Sequence, residues 1–245
     1  NKYILHNRSI FFSNDDEVKH FLEKRSIENS KKHQQPATLN VKSNLDKLTL
    51  NDMQVFRFNF RHEKNQKILY LHGGYNTLQP SPFHWRLLDK LTLNTLHEVV
   101  LPIYPKSPDY HYLETFKAIR DVYNQLVEEV GANNIVMMGD GSGGGLALSF
   151  VQSLINDNQE VPRKLFLLSP LLDATLTNPN ITKTLEENDI LVSRFGVHQL
   201  MKSWTNDLPL SDARISPLYG TLKGLPPIYM YGGGREILSP DMHAF

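Results

Sequence analysis

The sequence contains no cysteine, no net charge and no long apolar run. Without cysteine the chain can form no disulfide, no thiolate zinc site and no cysteine nucleophile, which suits a reducing compartment and makes a cytoplasmic location the expectation. Lys plus Arg and Asp plus Glu both number 26, so no net charge attracts nucleic acid or anionic lipid. No stretch of about 18 apolar residues predicts a membrane span. Because the chain begins with Asn1, we expect a fragment or a processed chain.

The composition is that of a globular protein. Of the 245 residues, 40% are hydrophobic, 21% are charged and 10% are aromatic. These values allow a substantial core and exclude disorder and low complexity. The length fits one large domain or two modest ones.

Short apolar runs along the chain predict the strands of a sheet. They end in Gly, Pro or Ser and are typical of strands that are buried on both faces of a parallel sheet. The runs are residues 68–71, 99–103, 135–138, 165–168 and 228–231. In residues 55–61 phenylalanines alternate with polar residues, which predicts a strand with one solvated face.

Helical patterns separate these runs. The clearest has apolar residues at helical spacing from Leu113 to Val130 and stops at Gly131, a residue suited to a left-handed C-terminal cap. Strand–helix alternation of this kind predicts the α/β class, with a doubly wound, mostly parallel sheet.

Two segments depart from the alternation and predict a small helical cap. Near the N-terminus, Ser13 and Asp16 resemble a capping box ahead of a short apolar stripe, and the polar run 31–35 predicts a linker. Residues 176–210 change from polar to apolar and predict a helical insertion above the sheet. We therefore predict a cap helix and linker over residues 1–40 and an α/β core over residues 41–245.

Two glycine-rich corners follow predicted strands, where open parallel sheets bind their ligands. The first is His72-Gly73-Gly74-Tyr75, in which adjacent glycines let backbone amides converge on one point, as an oxyanion requires. The second, residues 139–145, reads Gly-Asp-Gly-Ser-Gly-Gly-Gly and leads directly into an apolar helix. Both corners are therefore candidate parts of one site.

The second corner has two interpretations. As Gly139-x-Gly141-x-x-Gly144 it matches a dinucleotide-binding fingerprint. That fingerprint needs an acidic residue after the next strand, where this chain has Ser169-Pro170. As a nucleophile elbow, the corner would expose a serine at the top of the sheet. The elbow is favoured because several predicted strands precede the corner, whereas the nucleotide motif usually opens its domain.

Six motifs, in this order, resemble the hormone-sensitive-lipase-like carboxylesterases, an α/β-hydrolase family. They are His72-Gly73-Gly74, Tyr104-Pro105-Lys106-Ser107-Pro108, Gly139-Asp140 with Gly143-Gly144, Ser169-Pro170-Leu171-Leu172-Asp173, Ser216-Pro217-Leu218 and Leu225-Pro226-Pro227. The resemblance covers roughly residues 50–245. It implies an α/β-hydrolase fold, oxyanion amides from the first corner and a serine from the elbow. It also implies an acid after the penultimate strand and a histidine after the last one.

The resemblance places Gly141 where the family has its nucleophile. In the family pattern Gly-Asp-Ser-Ala-Gly-Gly, Ser142 falls one position later, and one step at a helix start turns a side chain by about 100°. Ser142 is nevertheless the only hydroxyl of the elbow and the predicted nucleophile, with a helix N-cap as its alternative role. The resemblance implies Glu236 as the acid, with Asp241 as second choice and a solvated loop carboxylate as the alternative role of Glu236.

No histidine occupies the position that the resemblance implies. His243 is too near Glu236 in sequence, and His72 belongs to the first corner. The run 228–231 would form an apolar sheet edge, which proteins normally pair or cover. We therefore expect a final strand and helix, with the missing histidine, beyond Phe245, and the same edge is a candidate homodimer contact.

Together these features predict hydrolysis of a small carboxylic ester through a serine acyl-enzyme. The amides of Gly73, Gly74 and Ser142 would stabilise the oxyanion, and Glu236 would orient the base. No cofactor and no metal are implied. The alternative is a protein that binds an ester or acid ligand without a working nucleophile, and Gly141 favours that alternative.

Overall fold

The computed structural model describes residues 12–59, 66–189 and 191–245. Within them, the strands are β1 (Leu45–Leu50), β2 (Met53–Phe58), β3 (Lys67–Leu71), β4 (Glu98–Pro102), β5 (Ile135–Asp140), β6 (Lys164–Leu168) and β7 (Ile228–Tyr231). The α-helices are α1 (Asp15–Asn29), α2 (Pro82–Thr95), α3 (Tyr112–Val130), α4 (Gly141–Asn156), α5 (Lys183–Asn188), α6 (Arg194–Trp204) and α7 (Ser239–Ala244). The predicted alternation of strands and helices is confirmed.

The strands form one sheet in the order β1-β2-β4-β3-β5-β6-β7. The strands from β4 to β7 in this order run parallel to one another, whereas β2 runs antiparallel to both of its neighbours, β1 and β4. The predicted doubly wound, mostly parallel sheet is confirmed. Because parallel strands end at the same side, the loops after β3, β4, β5, β6 and β7 meet at one edge, which we call the carboxyl edge.

Successive residues of β3 enter two different cores. Ile68 and Tyr70 pack with Trp85 of α2 on one face of the sheet. Leu69 and Leu71 belong to the larger core on the other face, under α3 and α4. Alternation of side chains between the faces explains why strands covered on both sides read as continuous apolar runs.

The prediction of a solvated face on β2 is wrong for Arg57, which is only 2% exposed. Its guanidinium pairs with Glu98 and Glu129, and Lys67 pairs with the same two carboxylates. Paired charges can be buried where a lone charge cannot. We call these four residues the amino-edge cluster, since Lys67 and Glu98 begin parallel strands. Phe60 and Arg61 of the predicted strand lie outside the described residues.

Short contacts to both carboxylates hold the amino-edge cluster together. Arg57 Nη2 lies 2.6 Å from Glu129 Oε2, and Lys67 Nζ lies 3.2 Å from Glu98 Oε2. Burial acts to raise the pKa of Glu129, but hydrogen bonds from Arg57 and Lys67 overcome that effect and lower it to about 2. Glu129 is therefore ionised at neutral pH.

The ends of two helices test the predicted caps. Gly131 ends α3 with a φ of 77° and a ψ of 148°. The positive φ suits glycine, but the conformation is not the left-handed helical one that was predicted. At α1 the cap is Asn14, whose side chain accepts a hydrogen bond from the Glu17 amide, while Ser13 N–H donates to the Glu17 carboxylate. The predicted box of Ser13 and Asp16 is therefore displaced by one residue.

Helices α5 and α6 lie within the predicted insertion 176–210. The amide of Gln199 on α6 donates to Asp15 at the start of α1, at 3.2 Å. The division into a cap over 1–40 and a core over 41–245 stays a prediction. Strand β7 is the edge of the described sheet and exposes Tyr229 and Tyr231, and a homodimer through this edge also stays a prediction.

Candidate active site

The first glycine corner, residues 72–76, leaves β3 in a conformation that only glycine permits at one position. Gly74 has a φ of 120°, and a Cβ on it would lie 2.8 Å from the Leu78 Cβ. Tyr75 and Asn76 follow with positive φ values of 54° and 51°. The chain therefore turns back on itself, and the amides of Thr77 and Leu78 donate to the Gly74 carbonyl oxygen. We call this segment the oxyanion corner.

His72 shapes the oxyanion corner from inside. Its side chain is fully buried, stacks on the Tyr104 ring with centroids 4.6 Å apart, and lies with Nδ1 2.7 Å from the Gly73 carbonyl oxygen. Because a carbonyl only accepts, Nδ1 carries the proton and donates. Burial, together with the positive charge of Lys106, holds the pKa of His72 well below its usual range. His72 is therefore a neutral donor that fixes the loop.

The second corner, residues 139–145, is the elbow between β5 and α4. Gly141 stands at its tip with a φ of 51°, and a Cβ added there would meet only the Gly73 Cα, at 4.0 Å. A Cβ on Gly143 would instead clash with the Leu71 carbonyl oxygen. The glycines therefore seat the start of α4 directly on β3, and the elbow tip faces the oxyanion corner.

Asp140 joins the two corners. Its Oδ1 accepts hydrogen bonds from the Tyr70 hydroxyl at 2.7 Å and the Gly73 amide at 2.9 Å, and its Oδ2 lies 3.1 Å from His84 Nε2. Nδ1 of His84 accepts the Ser81 amide at 2.9 Å, so the proton resides on Nε2. Burial acts to raise the pKa of Asp140, but hydrogen bonds from His84, Tyr70 and Gly73 hold it below its usual range.

The predicted set of oxyanion donors needs one revision. The Gly73 amide already donates to Asp140, so this amide is not available to a ligand. Among the described residues, no acceptor is found for the amides of Gly74 and Tyr75. The first amides of α4, including that of Ser142, have no partner within the helix. The amides that remain available are therefore those of Gly74, Tyr75 and Ser142.

The Ser142 side chain lies behind the elbow tip. It is the second residue of α4, it is 3% exposed, and its hydroxyl has no hydrogen-bond partner in the described part of the chain. Its alternative role as a helix cap is wrong, because Asp140 is the N-cap. Ser142 lines a small cavity of about 10 Å³ with Asn76 and with Met201 and Trp204 of α6. The Asn76 side-chain oxygen is also unpartnered, so the cavity has the size and polar groups for one water molecule.

Glu236 follows β7 and reaches the loop after β6. Its Oε1 accepts the Ser169 hydroxyl at 2.8 Å and the Gly233 amide. No histidine hydrogen-bonds to Glu236 in the described ranges. The second choice of acid, Asp241 in α7, instead accepts the Asn178 amide at 2.8 Å. Burial raises the pKa of Asp241.

Sequence reasoning missed Asp189, which connects the insertion to the loop of Glu236. The buried Asp189 carboxylate accepts the amide of Ile237 at 3.0 Å and that of Leu191 at 2.8 Å. No local pattern distinguishes this residue, because its role depends on amides from distant segments.

Tyr75 marks the point where these segments converge. Burial raises the pKa of Tyr75, and the negative charges of Asp189, Glu236 and Asp140 raise it further. The phenol is therefore neutral and lies within electrostatic reach of one carboxylate from the insertion, one from the β7 loop and one from the elbow. In the sequence, the only feature that indicated a role for this region was the glycine pair before Tyr75.

The described residues hold no group of three or more His, Cys, Asp or Glu side chains arranged to bind a metal ion. Their helices include none with the length and apolarity needed to span a membrane.

The chain matches known proteins through this region. A family model described as the alpha/beta hydrolase fold matches residues 68–245. A triacylglycerol lipase of Mycobacterium tuberculosis is 30% identical over 192 residues, which are 78% of this chain and 39% of the lipase. An esterase of Acinetobacter venetianus is 35% identical over 182 residues, which are 74% of this chain and 60% of the esterase. The chain thus spans less than two thirds of the length of these two relatives.

Solved structures share the fold. A crystal structure of a Staphylococcus aureus protein assigned to the esterases is 66% identical, with a TM-score of 0.96, and the match covers 99% of this chain and 82% of that one. An esterase from the bacterial hormone-sensitive lipase family is 22% identical, with a TM-score of 0.80, over 98% of this chain and 79% of that one. The α/β-hydrolase fold that the resemblance implied is confirmed.

Proposed function

Because the chain belongs to the alpha/beta hydrolase fold family, we propose that it is a carboxylic ester hydrolase of the esterase and lipase type. The observation that carries this proposal is the meeting of the two corners. A Cβ on Gly141 would stand 4.0 Å from Gly73, and the Gly73 amide is bonded to Asp140. An ester carbonyl placed over the elbow tip would therefore meet the free amides of the oxyanion corner.

In this proposal the amides of Gly74, Tyr75 and Ser142 stabilise the negative charge that develops on the carbonyl oxygen. Donors fixed before the reaction are effective because they need no reorganisation when the charge appears. Asp140 holds the corner in place through Gly73 and is itself fixed by Tyr70 and His84. The ligand is a small-molecule ester.

In this proposal the nucleophile is Ser142, the only hydroxyl of the elbow. Its Oγ would attack the carbonyl carbon, its proton would pass to a base, and the alcohol would leave with that proton, after which water would release the acid. Glu236, held by Ser169 and Gly233, would orient the base. This route requires the Ser142 side chain to leave its cavity, and the tight contact of Gly143 with Leu71 opposes that movement.

A second candidate function is binding of an ester or carboxylic acid without turnover. The observation that favours it is Gly141, which holds the elbow tip without any side chain, in open space. A ligand carboxylate could accept the same free amides that an oxyanion would use. Both candidates therefore share one binding site and differ in whether a hydroxyl reaches it.

A fluorophosphonate probe followed by mass spectrometry separates the two candidates. An adduct on Ser142 of the full chain that disappears in Ser142→Ala supports the acyl-enzyme. Absence of an adduct in the wild type, with an adduct on residue 141 of Gly141→Ser, supports binding without turnover. If a folded Gly141→Ser protein that contains the missing histidine also fails to react, and neither it nor the wild type hydrolyses p-nitrophenyl acetate, acyl transfer at this elbow is rejected.

A further inference from the structure

A second cavity opens at the carboxyl edge, away from the candidate active site. Its volume is about 710 Å³, within the range of small-molecule sites. Its walls come from the turn between β1 and β2, the chain after β4, the start of α3 and the chain after α1. No residue of the oxyanion corner, no residue of the elbow and not Glu236 lines it.

A buried ammonium group belongs to this cavity. Lys106 lines it and is only 3% exposed. Its Nζ donates to the Tyr104 carbonyl oxygen at 2.7 Å and to Gln79 Oε1 at 3.3 Å, and both partner residues also line the cavity. The third N–H of this ammonium has no acceptor among the described residues.

Lys106 lacks the counter-ion that a buried charge normally has. Within the described residues, no carboxylate forms an ion pair with it. Of the acids that line the cavity, Asp109 accepts the Ser26 hydroxyl at 2.7 Å, and Asp121 accepts Asn51 at 2.9 Å and Lys117 at 3.2 Å. Glu114 accepts the His111 amide at 3.0 Å, and Asp52 is exposed. Burial alone lowers the pKa of Lys106 to about 7. An anion in the cavity would supply the missing charge.

The remaining walls indicate what kind of anion fits. Leu50, Met53, Ile103 and Ala118 present hydrocarbon surface beside Lys106. Of the four lysines that line the cavity, Lys31 and Lys117 are exposed and paired with Glu28 and Asp121, and Lys32 is exposed, so Lys106 is the one buried cation of the lining. One buried ammonium suits a single negative charge, whereas a phosphate normally gathers several charged donors. Apolar walls next to one cation are complementary to an aliphatic chain that ends in a carboxylate.

We propose that this cavity is a second ligand site that takes an aliphatic monocarboxylate, with the carboxylate on Lys106 and the chain against Leu50, Met53 and Ile103. The site does not depend on the chemistry at the elbow. Tyr104 separates the two regions, since it lines the cavity and its ring stacks on His72.

The test uses octanoate as the probe and the whole chain. Isothermal titration should give saturable binding, and Lys106→Met, which removes the charge and keeps the length, should weaken it by about tenfold or more. Lys117→Met is the matched control, because Lys117 lines the same cavity but is 74% exposed and paired with Asp121. We expect less than a twofold change for this control. Neutral octanamide should bind the wild type as weakly as octanoate binds Lys106→Met.

Methyl-labelled methionine NMR locates the bound octanoate. The Met53 signal should shift because Met53 lines the cavity, whereas the Met201 signal, beside Ser142, should stay. If Lys106→Met does not fold, Ala118→Trp fills the cavity with Lys106 intact and should abolish binding. The proposal is overturned if octanoate does not bind, if Met201 shifts instead of Met53, or if the folded variants bind like the wild type.

Discussion

The two ends of the parallel strands are built on opposite principles. At the amino edge, four charged side chains neutralise one another, and Arg57, Lys67 and Glu98 are almost fully buried. At the carboxyl edge, glycines replace side chains, and amides and hydroxyls lack partners. At one edge the charged groups are paired with one another, and at the other several polar groups stay available.

This contrast separates residues that stabilise the fold from residues that can bind a ligand. A buried charge without its partner costs several kcal/mol, so the amino edge tolerates little change. A donor without a partner also costs free energy, but it can bind a ligand. We therefore expect substitutions at the amino edge to affect mainly unfolding, and polar substitutions at the carboxyl edge to affect mainly ligands.

The largest effect should come from breaking the amino-edge cluster with Glu98→Gln. The change leaves Arg57 and Lys67 with one carboxylate to share, so the free energy of unfolding should fall by about 3–5 kcal/mol. Urea denaturation followed by circular dichroism measures it. Glu128→Gln, an exposed position on the neighbouring helix α3, should stay within about 0.5 kcal/mol. Equal losses in both variants would contradict the role of the cluster.

A smaller loss is expected from Gly143→Ala, where the carboxyl edge depends on close packing. The added methyl would meet the Leu71 and His72 carbonyl oxygens, and such overpacking costs about 1–3 kcal/mol. Gly234→Ala is the control, since no atom lies within 4 Å of its added Cβ. The free energy of unfolding of the two variants gives the comparison. If Gly143→Ala is as stable as the control, α4 does not sit on β3 as described.

Acid should weaken the amino edge through Glu129. Its pKa of about 2 in the folded protein lies below its ordinary value of 4.5, so its stabilising contribution is present above pH 4.5 and is lost as the pH falls toward 2. Glu129→Gln should therefore differ from the wild type at pH 7 and converge with it near pH 2. The difference should be smaller than for Glu98→Gln because the Glu129 side chain is 28% exposed. Unfolding free energies that differ equally at both pH values would refute this account.

The smallest effect should be that of Ser142→Ala on stability. Its hydroxyl has no partner among the residues that the structure describes, so the change should stay within about 0.5 kcal/mol. Ser149→Ala, on the same helix, removes a hydroxyl that donates to the Arg214 carbonyl oxygen at 2.7 Å and should cost about 1 kcal/mol. Thermal denaturation of both variants tests the difference. A larger loss for Ser142→Ala would show that its hydroxyl holds a buried water.

The sequence predicted a structural feature correctly where that feature depends on a single segment of the chain. Residues 135–138 and the glycines after them predict a strand and a tight turn because both depend on neighbouring residues. Arg57 was misassigned because its partners Glu98 and Glu129 are 41 and 72 residues away. For the same reason the bond of Gly73 to Asp140 and the bridge made by Asp189 were not predicted. Residue alternation and turn residues depend on the local sequence. The partners of a carboxylate depend on how distant segments pack together.

The Tyr104 ring connects the large cavity to the oxyanion corner. It borders the large cavity, stacks on His72, and donates its hydroxyl to the His72 carbonyl oxygen. A molecule that displaced this ring from one side would also alter the peptide that leads into Gly73. Such an effector would be allosteric, and thermodynamic reciprocity requires that an inhibitor seated over the elbow change the affinity for the effector by the same factor.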